Sequence, residues 1–117
     1  MLARFLSILL GLSALAAAVD PHTLQPQGYV NDFAGVLDPA ARADLARYCG
    51  AVERATGVQM ALVTVDTLGD NNIEDAANDL YHRWGIGKKE TDEGLLLLLA
   101  TKDHHSRLEV GRGLEPT

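Results

Sequence analysis

The chain has 117 residues, 47% of them hydrophobic and 22% charged, with a formal charge of −6. A chain of this length has room for one small domain, and its acidity makes it ill suited to hold nucleic acid or anionic lipid headgroups. Its single cysteine, Cys49, excludes an intrachain disulfide.

The first 18 residues have the form of an export signal. Arg4 supplies the positive start, Phe5 to Leu15 an apolar run, and Ala16-Ala17-Ala18 a small-residue cleavage site. The run is shorter than the ~20 residues a membrane-spanning helix needs. Cleavage after Ala18, with Ala16 as the alternative, is therefore the expectation, and an uncleaved anchor is the competing reading. Leu95 to Ala100 is also too short to span, so the mature chain is expected to carry no transmembrane helix. Loss of Arg4 takes the formal charge from −6 to −7. The product is expected to be exported, to the periplasm or the cell exterior. Residues 19–28 contain Gln25, Pro26, Gln27 and Gly28 and form a polar lead-in expected to stay unpacked. Residues 29–117 form the domain.

In Tyr29 to Asp38, Asp32 lies between Val30 and Phe33 in a turn with Gly35. Asp38-Pro39 is a helix start, with Asp as N-cap and Pro in the first position. Apolar residues recur at Ala41, Leu45, Tyr48, Val52 and Ala55 until Gly57 stops the helix. Cys49 borders this stripe as a small core residue. Val58 to Val65 is a strand covered on both faces. Asn72 caps a second helix whose stripe is Ile73, Ala77, Leu80, Tyr81 and Trp84, ended by Gly85. Leu95 to Ala100 runs apolar without alternation. A helix is not excluded by that pattern, but length and flanking turn residues favour a fully buried strand. Strand, helix, strand implies a right-handed parallel crossover. After a turn at Thr101 to His104, Arg107 to Val110 alternates as a more exposed strand, antiparallel to the last. The expected class is α/β: a layered sandwich with a small mixed sheet flanked by helices.

These segments resemble the TPM domain family, which includes thylakoid-lumen phosphatase-like, photosystem II repair and acetylcholine-receptor modulator proteins. Tyr29-Val30-Asn31-Asp32-Phe33-Ala34-Gly35-Val36-Leu37 is similar to its opening motif. Thr56 to Val65 resembles its first core strand, and Ala77 to Gly87 its second helix and turn. Asp92 to Leu98 and Glu109 to Glu115 complete the order. Asp92-Glu93-Gly94 stands where the family usually has Asp-Asn-Gly. The family domain continues past Gly-Leu-Glu into further helices and an acidic position, so the domain here is expected to be incomplete at its C-terminus.

Three carboxylates fall in loops: Asp32, Asp92 at the entry to the buried strand, and Glu115 after Gly111-x-Gly113. Hard cations such as calcium take several oxygen ligands of this kind. The resemblance implies a calcium site at Asp32, Asp92 and Glu115; turn capping by the two aspartates is the competing role. It also implies an accessory or interaction role, with a protein partner that is membrane-associated, in membrane-protein assembly or repair. The alternative is weak acid phosphatase activity. After residue 18 the only serine is Ser106, in no nucleophile motif, and Cys49 is buried in the helix reading, so hydrolysis would need metal-activated water. Gly85-Ile86-Gly87-Lys88-Lys89 lacks the spacer of a phosphate loop, Pro116 spoils a dinucleotide fingerprint, and His104-His105 point to opposite faces. These are expected to be solvated turns, and Trp84 a core anchor.

Overall fold

The computed structural model describes residues 17–88 and 90–116. All of the expected signal segment except Ala17 and Ala18 lies outside them, as do Lys89 and Thr117. Four strands, β1 (Val30–Asp32), β2 (Gln59–Val65), β3 (Gly94–Ala100) and β4 (His105–Val110), form one sheet in the order β1-β2-β3-β4. The first three are parallel, and β4 is antiparallel to β3. Helices α1 (Pro39–Thr56) and α2 (Ile73–Arg83) make the two parallel connections. The layered, mixed-sheet α/β expectation holds.

The helix boundaries follow their capping residues. Asp38 accepts a bond from Ala41 N at 2.8 Å, Pro39 fills the first position, and Gly57 closes α1 at φ 81°. Asn72 Oδ1 accepts from Glu74 N and Asp75 N to start α2. Leu80, Tyr81 and Ala77 then bury their side chains against Val63, Val65, Leu96, Leu98 and Ala100.

Helix α1 sits on the other face, where its Leu45 and Cys49 line a pocket of about 200 Å³ together with Leu62 and Leu97. The strand order moves steadily across the sheet, so helices on opposite faces give the two crossovers opposite hands. On this face coverage is thin. Leu96 and Leu98 are fully buried beneath α2, whereas Leu95, Leu97 and Leu99 on the α1 side are half-buried. The expectation of a strand buried on both faces therefore holds on one. The α1 stripe is also rotated: Tyr48 is 62% exposed, Ala55 is exposed, and Cys49 and Gly50 are the buried positions. Gly50 sits here because a Cβ would press on Arg54 at 3.2 Å and on the Tyr29 ring at 3.4 Å. Burial pushes the Cys49 thiol pKa up, which disfavours the reactive thiolate.

The first part of the lead-in packs through Val19, Pro21 and Leu24, contrary to expectation, whereas Gln25 to Gly28 are exposed. Val19 N donates to Thr67 O at 2.8 Å, and Pro21 is buried in a 3-10 turn over α2. Arg83 Nη2 donates to Pro21 O at 2.6 Å, and Trp84 Nε1 to Leu24 O at 3.4 Å. Val19 and Leu24 add apolar contact with the core. Asn31, fully buried in β1, completes the tie. Its Oδ1 accepts from Gln27 N at 2.6 Å, while its Nδ2 donates to Gly28 O and Leu62 O. A polar composition left this segment looking solvated because its attachment runs through backbone carbonyls.

Candidate functional site

Asp32 ends β1, and its carboxylate is committed to the chain around it. Oδ2 accepts from Leu37 N at 2.9 Å; Oδ1 accepts from Val36 N at 3.1 Å and from Thr64 Oγ1 at 2.6 Å. Thr64 Oγ1 in turn accepts from Ala34 N. Gly35, at φ 66°, lets the turn close. Burial of Asp32 raises its pKa, but the bonds from Thr64, Leu37 and Val36 outweigh that and hold it below the usual value. The turn-capping role is thus built into the loop that hands β1 to α1.

Asp92 occupies the other end of the sheet. In register, Asp32 aligns with Thr64 and so with Leu99, whereas Asp92 precedes Gly94 at the start of β3. Five residues of strand between Leu99 and Gly94 place the two aspartates at least about 16 Å apart along the sheet. One cation is not ligated by both, and the expected three-carboxylate site is split. Asp92 and Glu115 do come together: both line a cleft of about 340 Å³ with Tyr81, His82, Glu109 and Arg112. No cluster of three or more His, Cys, Asp or Glu side chains is gathered tightly enough to hold a metal among the described residues.

The cleft is made by close approach of glycine backbones. Asp92 has φ 49°, a left-handed conformation that aspartate tolerates. Its Oδ1 accepts from Tyr81 Oη at 2.7 Å, its Oδ2 from Arg112 N at 3.0 Å, and its carbonyl from Gly113 N at 3.0 Å. A Cβ on Gly111 would overlap the Asp92 carbonyl and the Tyr81 hydroxyl; one on Gly113 would overlap the Thr91 carbonyl. The bond from Tyr81, then that from Arg112 N, hold the Asp92 pKa below its usual value against burial. Burial, then the bond to Asp92, push the Tyr81 hydroxyl pKa well above its usual value. Tyr81 therefore stays a donor, and the pair is a latch between α2 and the loop before β3.

Thr64 and Tyr81 are the residues that sequence reasoning missed. Thr64 is the one polar side chain between Val63 and Val65, and a hydroxyl at 1% exposure needs a partner. Tyr81 was counted only for its apolar ring. A third latch, Asp103 accepting from Thr67 Oγ1 at 2.6 Å and Leu68 N at 3.0 Å, joins the β3–β4 turn to the end of β2. His104 is exposed in the turn, as expected, and so is Lys88; His105 is also exposed but opens β4 rather than lying in the turn.

The TPM-domain model matches residues 30–117, the stretch that holds the capped β1 turn, the Gly-tied cleft and the mixed sheet. The chain belongs to the TPM domain family. No curated protein matches it. Among solved structures, the TPM chain is similar to the N-terminal domain of a protein from P. gingivalis, determined by solution NMR. The two share 29% identity at a TM-score of 0.78, over 86% of this chain and 68% of that one. The N-terminal domain of the cg2496 protein from Corynebacterium glutamicum shares the fold, at 13% identity and a TM-score of 0.66, over 86% of this chain and 64% of that one. Among the described residues of the TPM chain no helix is long and apolar enough to cross a membrane.

Proposed function

We propose that this TPM domain is an exported accessory module, periplasmic or extracellular, that works by binding a protein partner in membrane-protein assembly or repair. The observation that carries this reading is the commitment of Asp32 and Asp92 to structural bonds within the fold, from neighbouring backbone N–H groups and from the Thr64 and Tyr81 hydroxyls. Acid–base or metal-water hydrolysis needs carboxylates aimed at a shared reaction centre. Here they act as latches at opposite ends of a sheet, which suits a rigid binding surface. Calcium, which the family resemblance implies, is assigned to the Asp92–Glu115 cleft, where the described side chains are not gathered as a metal cluster and water and backbone carbonyls would have to complete the ligand set. Asp92 keeps a lone pair on each oxygen, and Glu109 and Glu115 supply further oxygens toward the six to eight that calcium takes.

Calorimetric titration with calcium tests the cation site. Saturable heat at millimolar calcium, lost in Asp92→Asn and Glu115→Gln but kept in Asp32→Asn, is the expected result; no heat in the parent protein removes calcium from the proposal. Turnover of a generic phosphomonoester at acidic pH is expected to stay at background. Turnover that Asp92→Asn abolishes would replace the binding module with a metal-assisted acid phosphatase.

A further inference from the structure

A second cleft, about 270 Å³, opens at the start of β2. Its walls are the rings of Tyr29 and Trp84 with Met60 and Ile86, and Glu53 and Gln59 provide its polar side. Such volumes lie below the range that takes drug-sized ligands, so the occupant is a small group or a single side chain. Glu53 Oε1 accepts from Tyr29 Oη at 2.8 Å, while Oε2 has only a 3.4 Å contact from Gln59 Nε2. Glu53 makes no ion pair among the described residues. Arg54, its neighbour on α1, lines no wall of the cleft; its guanidinium lies by Gly50, near the Tyr29 ring.

We propose that this cleft binds an alkylammonium group, with Glu53 as counter-ion and the Tyr29 and Trp84 rings flanking an aliphatic stem. The chemistry narrows the choice. An anion would face the Glu53 carboxylate. A neutral apolar group would strip water from that carboxylate without pairing it. A guanidinium prefers both carboxylate oxygens in a fork, but Tyr29 already holds Oε1. An ammonium is a compact charge that needs one good oxygen and gains from nearby aromatic rings. The net charge of −6 also draws cations toward the surface. This inference is independent of the calcium cleft, which is lined by other residues.

Trp84 is the only tryptophan, so intrinsic fluorescence reports on this cleft directly. Titration of the full chain with n-butylammonium is expected to change Trp84 emission saturably in the millimolar range, with no such change for n-butanol at equal concentration. Glu53→Gln is expected to weaken the response about tenfold, the scale of one hydrogen bond to a charged group. A capped lysine amide binding more tightly than butylammonium assigns the group to a partner polypeptide; the reverse order assigns it to a free amine. Absence of a saturable response in the parent protein overturns the proposal. So does an n-butanol response equal to that of butylammonium, which needs no variant to fold, or a folded Glu53→Gln protein that responds like the parent.

Discussion

Thr64 and Asp32 show how much one hydroxyl organises. Thr64 Oγ1 donates to Asp32 and accepts from Ala34 N at full burial, so Thr64→Val keeps the shape and removes both bonds. Leaving Ala34 N–H unpaired makes the change cost about 1–3 kcal/mol, measurable by urea unfolding at neutral pH. Its pH dependence has a fixed sign. The folded Asp32 pKa is depressed, so the stability it contributes is fully present above the unfolded value of 3.8 and is lost as pH falls through the folded value below that. The gap between parent and Thr64→Val is therefore expected to narrow below about pH 4. Asp92 and Asp103 are depressed in the same direction, by their hydroxyl and backbone donors. Acid unfolding of the parent belongs in that same window. Asp32 and Asp92 stand out in the sequence as loop carboxylates, and Asp103 falls only within the turn at Thr101 to His104. Their donors do not stand out, because Thr64, Tyr81 and Thr67 lie 32, 11 and 36 residues away.

At the scale of elements, α2 and the loops around β3 and β4 are held by close packing. Gly111 has no unusual φ, yet a Cβ there would meet the Asp92 carbonyl and the Tyr81 hydroxyl. Gly111→Ala is expected to lower stability by about 1–3 kcal/mol, the cost of overpacking. The Asp92 carboxyl, followed by NMR, should titrate nearer its ordinary value as the latch loosens; an unchanged melting temperature and unchanged titration would show that the loop yields freely. Capping and breaker residues made α1 and α2 legible, since Asp38-Pro39, Gly57 and Asn72 act on adjacent backbone. The exposed side of α1 was not legible. Tyr48 fits a helical stripe by spacing, but the sheet offers too little surface on that face, and Tyr48 and Leu108 are left 62% and 50% exposed. Strand β1 was also missed, because three residues show no periodicity and pair only once β2 is present.

The whole molecule is closed by its lead-in. Val19, Pro21 and Leu24 cover α2 and the edge of the core, tied by Arg83, Trp84 and Thr67. A chain starting at Gln25 is expected to unfold at lower urea than one starting at Val19, with a smaller m-value because less apolar surface is buried. Equal midpoints and slopes would show that the segment rests on a core already complete. The sequence by itself determined the fold class and the family, together with the helix caps and the presence of β3, because capping, periodicity and turn chemistry act between near neighbours. Only the tertiary structure decided that Asp32 and Asp92 stand at opposite ends of the sheet, while Asp92 and Glu115 share a cleft. Strand direction and register set those distances, and they arise from long-range pairing such as Val30 with Leu62 and Gln59 with Gly94, which no local pattern encodes.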